Sequence, residues 1–227
     1  MEALDNTGLG LIGATIERVK NKKSLFGSAL KKLVNSTEKE LDDFLKRKLE
    51  KKEAEVKTGI LRLISGNEVI KIKALDGRDL IYKAGKVFKS FLDGDFRNWG
   101  LTKKGIATIE APVQVHEMVG NGRFLEILQS LPGTWNQKWL SQSQVIEFCK
   151  THARWLRQGG NATFFLIKKD ENKPIDENHP EDNLVVVHVR VLFDGLHVYV
   201  NRLEVGHVWI GGSRRRVVSP QLMPSGN

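Results

Sequence analysis

The sequence predicts an α+β protein with a basic helical N-terminal segment, a small antiparallel β-meander and a C-terminal helix-plus-antiparallel-sheet domain. Three observations predict it. Apolar residues recur at helical spacing as far as about Val56, the period turns strand-like after Thr58-Gly59, and a capped helix followed by alternating strands occupies the last third. The corresponding segments are 1–57, 58–118 and 119–227.

The first segment is read as helices. Ile12, Ile16 and Val19 stand at i, i+4, i+7, and Phe26, Ala29, Leu30 and Leu33 at i, i+3, i+4, i+7. A third helix opens at Thr37, where Glu40 completes a capping box. Its acids come early (Glu38, Glu40, Asp42, Asp43) and its bases late (Lys46, Arg47, Lys48, Lys51, Lys52), the order a helix dipole favours. The stripe Leu41, Phe44, Leu45, Leu49 is narrow, so this helix packs on one side only. Gly8, Gly10 and Gly13 spell a dinucleotide-binding fingerprint, but no strand precedes them to aim a pyrophosphate, so they read as a flexible helix entry.

Ile60–Ser65, Glu68–Ala74 and Asp79–Tyr82 follow as a three-strand meander turned at Gly66-Asn67 and Asp76-Gly77. Between Lys83 and Val119 the pattern is mixed, with a short helix over Lys86–Leu92 and a strand over Ile106–Glu110. Phe124, Ile127, Leu128 and Leu131 form a helical stripe stopped by Pro132. Ser141, with Gln144 three residues on, caps a helix expected to end at Gly159-Gly160. Strands are predicted at Ala162–Lys169, Leu184–Phe193, Leu196–Leu203, His207–Gly211 and Arg214–Val218, with an acidic hairpin loop at 170–183.

Charge narrows the function classes. The net charge is +9, and residues 1–110 hold 23 Lys and Arg against 16 Asp and Glu. Six acids and one base fall between Asp170 and Asn183, so the remainder is more basic still. Such a body attracts polyanions, because each neutralised phosphate releases a counterion. The acidic loop reads as a solubility feature, or as an intramolecular competitor for the basic face. The longest charge-free runs, Asn6–Ile16 and Gln158–Ile167, are short of the roughly 18–20 apolar residues of a membrane span. Glu2 and Asp5 stand where a secretory signal needs positive charge. The single cysteine, Cys149, excludes an intrachain disulfide, and a cytoplasmic location is the expectation.

No cofactor or metal is implied. Cys149 and His152 stand i, i+3, yet they share an apolar stripe with Val145, Phe148, Trp155 and Leu156, so a buried thiol beside a core histidine accounts for them. The opposite face of that helix offers Lys150, Arg154 and Arg157 at i, i+4, i+7. His188, His197 and His207 are too far apart along their strands to share one zinc.

The last hairpins carry the strongest constellation. An Asp194-Gly195 turn pairs Phe193 with Leu196 and puts Val187, Val189, Val191, Phe193, Leu196, Val198 and Val200 on a core face. The other face then holds His188 opposite Asn201, Arg190 opposite Tyr199 and Leu192 opposite His197, joined by Trp209, Arg214 and Arg216. Rings that stack on bases, interleaved with guanidinium groups that hold phosphates, are what single-stranded nucleic acid requires. A plain solvated or helix-covered sheet face is the alternative.

The expected function is therefore non-enzymatic binding of single-stranded or structured RNA or DNA. The expected contacts are Lys46, Lys48, Lys51 and Lys52 on the arm, Lys150, Arg154 and Arg157 on the helix, and His188, Arg190, Tyr199, Asn201, Trp209, Arg214 and Arg216 on the sheet. The competing readings are an interaction subunit whose basic helices meet an acidic protein partner, and a peripheral membrane protein held by the cationic, amphipathic Leu9–Val34.

Overall fold

A computed structural model describes residues 59–66 and 68–222. The N-terminal helices read from the sequence, with Lys46, Lys48, Lys51 and Lys52, lie outside the described residues. The strands are β1 (Leu61–Leu63), β2 (Ile70–Ile72), β3 (Phe91–Leu92), β4 (Ala111–Met118), β5 (Ala162–Lys168), β6 (Leu184–Leu192), β7 (Gly195–Arg202) and β8 (Arg216–Pro220). The α-helices are α1 (Asp95–Asn98), α2 (Phe124–Gln129) and α3 (Gln142–Thr151). All eight strands belong to one mixed sheet in the order β1-β4-β8-β5-β6-β7-β3, with β2 also on β4. Among the described residues, only β5–β8 and β3–β7 pair in parallel. The fold class is α+β, with a mostly antiparallel sheet.

Both faces of the sheet are covered. On one, α3 sets Val145, Phe148 and Cys149 against Val115, Phe165, Val187, Val198, Val200 and Val218. On the other, α2 sets Phe124, Ile127 and Leu128 against Phe164, Leu166, Val186 and Val217. A strand buried on both sides has no need of alternation, which is why all of Ala162–Lys168 is buried.

The meander takes a different form from the one expected. β1 and β2 do not pair with each other but lie end to end on the same edge of β4, as Leu63↔His116 and Ile70↔Val113 show. The residues between them loop out, and the amides of Ile64 and Ser65 both donate to the Val115 carbonyl. The stretch 79–82 is no strand. Ile81–Lys83 is a 3-10 turn whose Ile81 amide donates to the Gln142 side chain, so Leu80 and Ile81 are buried without a ladder. Over Lys86–Leu92 there is no helix; the chain turns and ends in β3. Ile106–Glu110 contributes one bridge, Leu75↔Thr108, and the strand proper is β4, which runs through Pro112. β4 bonds β1 and β2 on one edge and β8 on the other, so the segments either side of residue 118 build one sheet.

The Ser141 cap forms as expected: its hydroxyl accepts from the Gln144 amide at 3.1 Å, and the Gln144 side chain accepts from the Ser141 amide at 2.9 Å. The helix nevertheless stops at Thr151, well before Gly159, and a 3-10 turn over Ala153–Trp155 follows. The Arg216 guanidinium caps that turn, donating to the carbonyls of Arg154 and Leu156, both at 3.3 Å. Cys149 is buried in the core, where burial pushes its thiol up, and His152 bonds the Lys71 carbonyl at 2.9 Å.

The β6–β7 turn is Phe193-Asp194, so that Leu192 pairs with Gly195 and Phe193 is fully exposed instead of core. Gly195 has φ +131°, and a Cβ there would meet the Ser90 hydroxyl at 2.6 Å. Glycine alone fits, and it fixes this turn one residue earlier than expected. Instead of a strand at His207–Gly211 there is a single Trp209↔Gly122 bridge. Arg214 has φ 49°, the only left-handed conformation of a non-glycine among the described residues. That strain costs an L-residue roughly 1 kcal/mol or more. Arg214→Gly is expected to raise stability by about 1 kcal/mol in urea denaturation; unchanged or lower stability would show the backbone to be unstrained.

Candidate nucleic-acid interface

The α2 side of the sheet is apolar over its β5–β6 loop end and changes character toward Arg190. β6 presents His188 and Arg190, and β7 presents His197, Tyr199 and Asn201, because these positions alternate with the buried valines. The turn's displacement shifts the register by two, so His188 faces Tyr199, Arg190 faces His197 and Asn201 faces Val186. An even shift changes partners and leaves the faces intact.

The rings form a continuous file. Phe91, on β3 opposite His197, lies 4.7 Å from Tyr199 between centroids; Tyr199 lies 4.6 Å from His188. His188 lies 6.1 Å from Trp209, and Trp209 4.5 Å from His207. All these separations suit tilted or edge-on aromatic contact. From below, Phe164 and Phe124 hold the indole at 5.0 and 5.2 Å. Above it stands the Arg215 guanidinium, 4.8 Å from the ring centroid, a cation–π distance.

Arg215 occupies the place expected for Arg214 and Arg216. The left-handed residue at 214 and the 3-10 turn over Gly211–Ser213 reverse the alternation at the start of β8. Arg216 therefore points to the α3 side with Val218, while Arg215 falls with Val217 on the ring side. Arg214 is exposed on the turn. Lys150, Arg154 and Arg157 also belong to the α3 side, and the helix end at Thr151 breaks their expected stripe. Arg154 pairs with Glu68, Lys150 stands 4.0 Å from Asp79, and Arg157 donates to the Ser213 carbonyl at 3.5 Å. Of the expected contacts, His188, Arg190, Tyr199, Asn201 and Trp209 share one surface. Phe91, His197, His207 and Arg215 lie with them and are not among the expected contacts.

The acidic segment is pinned at the other end of β5 and β6. Asp170 pairs with Lys103 at 2.8 Å, Glu171 accepts from the Ile106 amide at 2.9 Å, and Glu177 accepts from the Trp135 amide at 3.0 Å. The loop leaves from Lys168↔Leu184, whereas Arg190 pairs with Ala162 six rungs away.

Electrostatics set this end apart. Burial lowers the Arg215 pKa, with Arg190 adding to it, and Arg190 and Arg215 both act against a charge on His188. Burial is the larger effect on His188, which it holds at about 4; Asn201 favours the charged ring without reaching hydrogen-bond geometry. Four buried polar atoms without a partner among the described residues gather here: His188 Nδ1, Asn201 Oδ1, Trp209 Nε1 and Arg215 Nε. Each such atom costs about 1–3 kcal/mol if it has no partner.

The histidines also set an acid limit. Burial holds His116, like His188, at about 4 against the ordinary 6.5. A depressed histidine contributes fully above the unfolded value, and its contribution falls away as pH drops from 6.5 toward 4. The loss is expected to reach about 2 kcal/mol for each ring by pH 5, measured by urea denaturation against pH 7.5. Equal stability at the two pH values would place both rings in solvent.

Among the described residues no three His, Cys, Asp or Glu side chains are grouped to hold a metal ion, and no helix is long and apolar enough to cross a membrane. No family model, curated protein or solved structure matches the chain.

Proposed function

We propose that the protein binds single-stranded nucleic acid on the ring face, as a non-enzymatic binder. The observation that carries this reading is the unbroken file Phe91–Tyr199–His188–Trp209–His207, flanked by Arg190 and Arg215. Bases stack on such rings whatever their sequence, and guanidinium groups hold the phosphates between them. The chain's charge of +9 draws a polyanion to the surface.

Phe91 is the cleanest probe, because it is 40% exposed at the sheet edge and still in ring contact. Phe91→Ala should weaken binding of a labelled 12-nucleotide single strand by about 1–3 kcal/mol in fluorescence anisotropy. Its melting temperature should stay near that of the parent, and a matched duplex should bind more weakly than the strand. Unchanged strand affinity in Phe91→Ala, or a preference for duplex, would contradict the reading.

A further inference from the structure

Three strands converge where the ring face meets its guanidinium groups. Arg190 on β6 pairs with Ala162 on β5, and Thr163 pairs with Arg216 on β8. The Met118 amide donates to the Arg215 carbonyl at 2.7 Å, continuing the β4–β8 ladder one residue beyond β8. Arg190, Ala162 and Arg215 therefore form one row across the sheet, with the alanine between the two arginines. At about 4.8 Å per strand their backbones stand about 10 Å apart, with the buried Ala162 on the strand between them.

Each arginine is anchored by one backbone carbonyl. Arg190 Nε donates to Gly160 at 2.7 Å, and Arg215 Nη1 donates to Ile210 at 3.2 Å. Neither has a carboxylate partner among the described residues. Two half-buried cations side by side repel one another, and an anion shared between their forks removes that cost. Burial is the larger cause of the lowered Arg215 pKa, and the charge of Arg190 adds to it.

We propose that Arg190 and Arg215 are the two arms of a phosphate subsite, one from each strand beside Ala162, serving a nucleotide whose base lies against Tyr199. This rests on the single-strand reading above and narrows it: the unit recognised is one phosphate with its adjoining base. The phosphate accepts from the free Nη groups of Arg190 on one side and from Arg215 on the other. Its source is an internal phosphodiester of a strand or the terminal group of a mononucleotide.

The test is calorimetric titration with 5′-AMP, adenosine, inorganic phosphate and unphosphorylated oligothymidylate of 12 nucleotides. AMP should bind at least tenfold more tightly than adenosine. Arg190→Gln and Arg215→Gln should each abolish most of that difference, and the double variant should be little worse than either. Arg215→Lys, which keeps the charge and loses the fork, should recover part of it and serves as a folded control. AMP and adenosine binding alike, or neither binding, would overturn the subsite. AMP binding that depends on both arginines without strand binding would uphold the subsite as a mononucleotide site and defeat the single-strand reading. Strand binding indifferent to both arginines would do the reverse.

Discussion

Val200→Asp is expected to unfold the protein. Val200 is 3% exposed, sits opposite Val187 on β7 and packs in the core beneath α3. A carboxylate there gains neither hydrogen-bond donor nor counter-charge from the surrounding valines, and burying it costs several kcal/mol. Losses above about 4–5 kcal/mol are exceptional and would take most of the 5–15 kcal/mol that holds an ordinary domain together. Its neighbour Tyr199 points the other way and is only half-buried, so Tyr199→Ala should leave a cooperative fold. Circular dichroism melts of the two variants check the alternation directly. A folded, cooperative Val200→Asp would invert the faces of β7 and remove the ring file from the surface.

Phe124→Ala is the second large effect, and it links stability to the interface. Phe124 opens α2, is fully buried, and touches both Phe164 and Trp209 at 5.2 Å between centroids. Truncating a buried phenylalanine costs about 3–5 kcal/mol, because the site collapses only in part. Half of the support under the Trp209 indole goes with it. The variant should lose that stability in urea denaturation and also bind a single strand less tightly, with Arg215 no longer held over a fixed ring. A loss below 1 kcal/mol would mean that α2 is peripheral to this core.

What the sequence made legible follows from how local each cause is. Ser141 and Gln144 announce the start of α3 because a capping box is a contact within one turn. β6 and β7 are readable because Val187, Val189, Val198 and Val200 alternate with polar residues across a hairpin. The faces survive the two-residue shift in register for the same reason. Distant causes were illegible. Nothing local indicates that β1 and β2 share one edge of β4, that Arg216 caps the 3-10 turn after α3, or that β3 adds Phe91 beside His197. Pro112 disguised β4 as a connection. Arg214 misled most: an arginine in the left-handed region is uncommon, and that one residue exchanged Arg214 and Arg216 for Arg215 on the ring face.

Photocrosslinking tests the central claim most directly. Ultraviolet irradiation of the full chain with a uniformly labelled single strand, followed by peptide mass spectrometry, reports which side chains touch bases. The account predicts adducts at Phe91, Tyr199, Trp209 or His207, suppressed by unlabelled strand and reduced in Phe91→Ala. Adducts confined to the α3 side around Lys150, Arg154 and Arg157, or none on β3, β7 and the Trp209 loop, would contradict it.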